Sequence, residues 1–219
     1  MVKIVDVLYR RLYRRVFPDV IGNLKQELAG CRSVLDLGCG SSSPIRQLSR
    51  PVYSVGADRH GPSLKRSRKE EIHDAYVLMD AGEVDKIFKP GSFDCVLALD
   101  LIEHLEKDEG LRLIKQMMRA ARRKVIIFTP NGFRPQEAYD GNELQVHRSG
   151  WTAGEMEGLG FRTIGINGWR PLRGDKAALN YRPKLFCLVL SDLTQLIVRN
   201  RPESAYQILC IKEKQSTSL

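Results

Sequence analysis

Apolar and polar positions along this chain follow two spacings. Nearly unbroken apolar runs at 34–37, 52–57, 76–79, 93–99 and 124–129 read as strands buried on both faces. Between them, 63–73 and 108–121 carry charges at helical spacing, and Pro44 opens a short helical turn over 44–48. Upstream, Val5, Leu8, Leu12 and Val16 recur at three- and four-residue steps with arginines opposite. That pattern predicts an amphipathic helix over 2–28, interrupted at Pro18. Pro130-Asn131-Gly132 stops the fifth run. Beyond it the pattern predicts a helix at 152–158, a strand at 160–166, an apolar helix at 185–198 and a last strand at 205–212.

Strands alternating with helices predict an α/β fold: a Rossmann-like, doubly wound sheet of seven strands with helices on both faces. The sheet should be mostly parallel with an antiparallel last strand. We expect one domain over 1–219, with a basic helical cap at 1–29 and an inserted helical cap at 168–202 before the last strand.

The first strand runs into Asp36-Leu37-Gly38-Cys39-Gly40. Glycines there allow a sharp turn and close ligand approach. A carboxylate at the mouth of the turn suits a cation better than a pyrophosphate, which favours S-adenosylmethionine (SAM), with its ammonium and sulfonium, over a dinucleotide. Asp58 ends the second run, 22 residues after Asp36, where a carboxylate can accept both hydroxyls of a ribose.

Composition narrows the setting. Hydrophobic content of 42% and charged content of 28% are ordinary for a globular chain, and no apolar run is long enough to span a membrane. Cys31, Cys39, Cys95, Cys187 and Cys210 are scattered without a CxxC pair, which argues against a zinc ribbon and fits reduced thiols in a cytoplasmic protein. The net charge of +9 suits anionic partners such as RNA, acidic lipid or a phosphorylated metabolite. The basic 1–17 segment also allows peripheral contact with a membrane.

Taken in order, these motifs resemble the class I SAM-dependent methyltransferases, type 11/12-like, over about residues 30–170. The resemblance implies SAM as cofactor and a cofactor site of Asp36, Gly38, Cys39, Gly40, Asp58, Arg59, Asp80, Ala81, Leu99 and Asp100. In it Asp80 and the N–H of Ala81 reach the adenine, Arg59 lies over the ring, and backbone near Leu99 and Asp100 sits under the methionine part. Ser42 stands where the family often has a further glycine. The run Ile102-Glu103-His104-Leu105 is shared by many relatives.

The segment 129–151 leaves the carboxyl end of a strand, where open α/β sheets bind ligands. Gln136, Glu137, Tyr139, Asp140, Asn142 and His147 are acceptor-side candidates. His147 is the candidate general base, with His104 the second catalytic candidate, because imidazole titrates near neutrality. The expected reaction is methyl transfer to an oxygen or nitrogen of a small-molecule or lipid-linked acceptor, with no metal. Two alternatives stand beside it. Asp100, Glu103, His104 and His147, after Thr129-Pro130-Asn131, resemble the small-RNA 3′-end 2′-O-methyltransferases, whose two carboxylates and two histidines hold a divalent metal; Asp100 replaces their usual glutamate. The other is a SAM-fold binding protein without catalysis.

Overall fold

The computed structural model describes residues 19–48, 52–138, 142–173 and 184–214. A single sheet of seven strands organises them: β1 (Ser33–Leu37), β2 (Tyr53–Asp58), β3 (Ala75–Leu78), β4 (Phe93–Leu99), β5 (Ala121–Pro130), β6 (Arg162–Trp169) and β7 (Ala205–Glu213). The spatial order is β3-β2-β1-β4-β5-β7-β6. Strands β1 to β5 pair in parallel, and β7 lies antiparallel to both β5 and β6. The doubly wound sheet with an antiparallel last strand is as the sequence predicts. Yet β7 does not form the edge of the sheet. It enters between β5 and β6, so β6 holds the edge.

Alternation of side chains along each strand sends neighbouring residues to opposite faces. Leu35, Leu37, Val96, Ala98, Val125 and Ile127 form one core. Val34, Cys95, Leu97, Leu99, Ile126 and Phe128 form the other. Helices α4 (Lys107–Ala120) and α5 (Ala153–Gly158) cover the first through Leu113, Met117 and Met156, with the fully buried Trp151 beside them. Helix α1 (Val20–Glu27) covers the second through Leu24, and the Asp19 side chain caps it by accepting from the Gly22 N–H. Burial on both sides is why the strands read as unbroken apolar runs.

Local differences have local causes. The 44–48 turn is a 3-10 helix over Pro44–Gln47, capped by Ser43. The charged helix α2 spans Gly61–Lys69, and a short α3 spans Val84–Ile87. The predicted 2–28 helix survives in the described residues only as α1, and 1–18 lie outside them. Helix α6 (Lys184–Val198) packs along β6, drawn close by glycines. A Cβ on Gly165 would stand 2.0 Å from Val198 O, and one on Gly168 would stand 2.5 Å from Ser191 O. Gln195 closes the join, donating to Gly165 O and accepting from Gly168 N at 2.8 Å each. The described part of 168–202 therefore covers the edge strand.

Candidate active site

Strand order reverses between β1 and β4, and the crevice beyond their carboxyl ends is where such sheets take ligands. A cleft of about 340 Å³ lies there, lined by Gly38, Gly40, Asp58, Arg59, Asp80 and Asp100 among others. Gly38 and Gly40 turn with φ of 65° and 56°, the left-handed region where a side chain is strained. A Cβ on Gly38 would also meet Leu101 at 2.7 Å.

Asp58 fastens this turn to β2. One carboxylate oxygen accepts from Gly40 N at 2.8 Å, the other from His60 N at 2.7 Å. Each oxygen keeps lone pairs for a ligand hydroxyl. Asp80 caps the next turn through Gly82 N at 2.8 Å and pairs with Arg59 at 3.1 Å, so these two candidates sit together on the cleft wall with Ala81.

Asp36 requires a correction. It does not meet the cleft; its carboxyl is 1% exposed and enclosed beneath the turn. Ser43 Oγ donates to it at 2.5 Å, and His73 Nε2 stands 3.4 Å away. Gly56 makes room for that histidine, since a Cβ there would lie 2.5 Å from His73 Cδ2. Burial pushes the Asp36 carboxyl up to about 7 and His73 down to about 4. The pair therefore favours its uncharged form over an ion pair, and no cation is needed to balance it. Cys39 and Leu99 are buried as well and do not line the cleft. Their contribution is backbone and packing.

A second cavity, of about 620 Å³, opens beyond the first and shares Asp100 and His104 with it. Asp100 ends β4 with φ 51°, a left-handed conformation that aspartate tolerates better than most residues. Its carboxyl is open to the cavities, yet enclosing protein raises it, while Gln207 Nε2 donates to it at 3.3 Å. Glu103 is sealed. Burial first, and the nearby Asp100 charge second, hold its carboxyl well above the usual range, and Thr129 Oγ1 donates to it at 2.9 Å.

His104 and His147 meet across this cavity with ring centroids 4.8 Å apart. His104 Nδ1 lies 3.2 Å from Val146 O, and His147 Nδ1 lies 2.7 Å from Arg134 O. A carbonyl only accepts, so each Nδ1 carries the proton and each Nε2 keeps its lone pair. Burial lowers both imidazoles, which favours those neutral forms. Glu103, His104 and His147 offer ligand atoms within 4.8 Å of one another, a set able to hold a divalent ion. Asp100, the fourth predicted ligand, is not in that group.

The loops that carry His147 and its partners are tied together. Asn131 bridges to Trp151, Gly132 N donates to Trp151 O at 2.8 Å, and His147 N donates to Gln136 O at 3.1 Å. Of the acceptor-side candidates, Gln136, Glu137 and His147 line the second cavity and Asn142 lines the first. Tyr139 and Asp140 lie outside the described residues. Arg134, Tyr206 and Gln207 line the second cavity without having been foreseen. Arg134 had a detectable signal, following the Asn131-Gly132 stop by two positions. Tyr206 and Gln207 arrive on β7 and had none.

The methyltransferase domain family matches residues 35–129, the stretch from β1 into β5. No curated protein matches the sequence. Among solved structures, a SAM-dependent methyltransferase from Archaeoglobus fulgidus aligns with TM-score 0.56 and 19% identity over 94% of this chain and 100% of its own. The methyltransferase domain of bacterial CtHen1-CN aligns with TM-score 0.55 and 18% identity over 89% of this chain and 97% of its own. Haemonchus contortus phosphoethanolamine N-methyltransferase 2, in complex with SAM, aligns with TM-score 0.54 and 18% identity over 89% of this chain and 53% of its own. With the glycine turn at the switch point, the match marks residues 35–129 as a methyltransferase domain, on a fold shared with SAM-dependent methyltransferases, and this supports S-adenosylmethionine as the cofactor.

Proposed function

We propose that this enzyme methylates an oxygen or nitrogen nucleophile of a small-molecule or lipid-linked acceptor bound in the second cavity. The observation that carries this reading is the junction of the two cavities at Asp100 and His104. It sets an acceptor space directly against the cleft that suits the cofactor.

The cleft fits SAM on its own chemistry. Gly38 and Gly40 leave backbone exposed, Asp58 offers carboxylate lone pairs for the ribose hydroxyls, and Asp80 with the Ala81 N–H faces the adenine position. When bound, SAM supplies an activated methyl group. The protein's task is then to hold donor and acceptor in line, which lowers the barrier by several kcal/mol without covalent chemistry. His147, neutral and with Nε2 unprotonated, is placed to take a proton from an acceptor hydroxyl. His104 stands at the junction and orients the same group.

A second reading rests on the Glu103, His104 and His147 cluster. These three residues would hold a divalent ion, which would polarise the acceptor hydroxyl. Likeness in fold to the small RNA methyltransferase HEN1, at TM-score 0.57 and 14% identity, supports RNA as acceptor in that case.

Tritiated SAM transfer into extract fractionated into RNA, lipid, protein and small molecules separates the two. Label in the lipid or small-molecule fraction that persists in chelator supports the first reading. Label in RNA that disappears with chelator and in His147→Ala selects the second. No transfer into any fraction contradicts both.

A further inference from the structure

The second cavity contains a cation with no carboxylate partner among the described residues. Arg134 lines it, and its guanidinium carbon lies 4.6 Å from the centre of the Tyr206 ring. Tyr206 is buried on β7, so the platform is rigid. The Arg134 carbonyl accepts from His147 Nδ1 at 2.7 Å, which fixes the backbone of the cation against the catalytic candidate. Its Nε is sealed from solvent and has no hydrogen-bond partner among the described residues. The half-buried guanidinium lines the cavity without a counter-charge among those residues, which points to a ligand that accepts.

The cavity's own carboxylates do not fill that role. Glu103 is sealed and accepts from the Thr129 hydroxyl at 2.9 Å. Asp100 takes Gln207. Glu137 is exposed on the rim. The guanidinium fork matches the two oxygens of a phosphate or carboxylate.

We propose that Arg134, stacked on Tyr206, binds an oxyanion group, phosphate or carboxylate, of a small acceptor and so sets its nucleophile beside His147. The proposal rests on the second cavity being the acceptor site. It makes Arg134 the residue that selects anionic acceptors over neutral ones.

The direct test titrates the protein, saturated with S-adenosylhomocysteine, with inorganic phosphate, acetate and neutral glycerol, followed by NMR. Wild type should bind phosphate or acetate but not glycerol. Arg134→Gln should weaken that binding at least tenfold with S-adenosylhomocysteine affinity unchanged. Arg134→Lys, which keeps charge but loses the fork, should fall between. Equal binding by wild type and Arg134→Gln, or none by wild type, overturns the proposal. A second measurement uses the tritiated product. Retention on an anion exchanger supports an anionic acceptor, and release by phosphatase identifies phosphate rather than carboxylate. A neutral labelled product overturns the proposal while leaving the acceptor cavity reading intact, and label in RNA overturns the small acceptor. Absence of any labelled product counts against the methyltransferase acceptor reading, whereas the phosphate titration is decided independently of it.

Discussion

Asp36 and His73 show how much a single buried pair can carry. Unfolded, they titrate near 3.8 and 6.5; folded, burial moves them to about 7 and about 4. Between these limits the folded and unfolded pair each hold one proton, on opposite partners, so the two dependences largely cancel. Single substitutions should separate them. In His73→Gln the raised Asp36 remains, and its contribution, full below about pH 3.8, is lost as pH rises through about 7. In Asp36→Asn the depressed His73 remains, and its contribution, full above about pH 6.5, is lost as pH falls through about 4. Melting temperature from pH 4 to 7 should fall with pH in the first variant and rise in the second. Parallel slopes would contradict the buried neutral pair. Asp58 works differently, since its carboxylate already holds the Gly40 and His60 N–H groups. Asp58→Ala removes the proposed ribose acceptors and loosens the turn together. Calorimetry should show SAM binding weakened by roughly 2–4 kcal/mol, on the order of 30- to 1000-fold.

At the level of elements, the acceptor cavity depends on two loops held in contact. Gly150 lies so near the chain after β5 that a Cβ would stand 2.2 Å from Phe133 N, and backbone cannot yield as a side chain would. Gly150→Ala should part the loops and displace His147 from Arg134. Methyl transfer should fall by at least tenfold, since small misplacements of reacting groups are costly. Affinity for S-adenosylhomocysteine should fall less than transfer does, because the glycine turn, Asp58 and Asp80 of the cofactor cleft lie elsewhere, while only Asn142, Leu144, Gln145 and Arg148 reach it from this region. Overpacking of this kind costs about 1–3 kcal/mol, which chemical denaturation would register. A variant that lost cofactor binding and transfer equally would mean that the loops support the whole crevice.

For the whole molecule, the two cavities meet at Asp100 and His104 but draw the rest of their walls mainly from different elements. The family match ends with β5, while the wall of the second cavity draws on residues 134–138, on Gln145 and His147, and on Tyr206 and Gln207 of β7. Ligand linkage should report that division. SAM at 100 times its dissociation constant adds about 2.7 kcal/mol of stability, a rise of roughly 5–10 °C in melting temperature for a chain of this size. Arg134→Gln and His147→Ala should keep that rise in a thermal-shift measurement, whereas Asp58→Ala should lose most of it.

The chain's own pattern was enough to place the strands and the parallel sense of the first five. Apolar runs buried on both faces are a local property, and Asp58, Gly38 and Asp80 each end their strand or follow it by a residue or two. Arrangement across distance was decided only in the folded molecule. Asp36 has the right position in its motif, yet Ser43 and His73 enclose it; that enclosure depends on Gly56, on a neighbouring strand. His104 and His147 are 43 positions apart, and only the bridged loops bring their rings together. Likewise β7 enters between β5 and β6, carrying Tyr206 under Arg134 across 72 residues of chain. Periodicity reports which face of an element is buried. It does not report which distant element covers that face, and the second cavity is made almost entirely of such encounters.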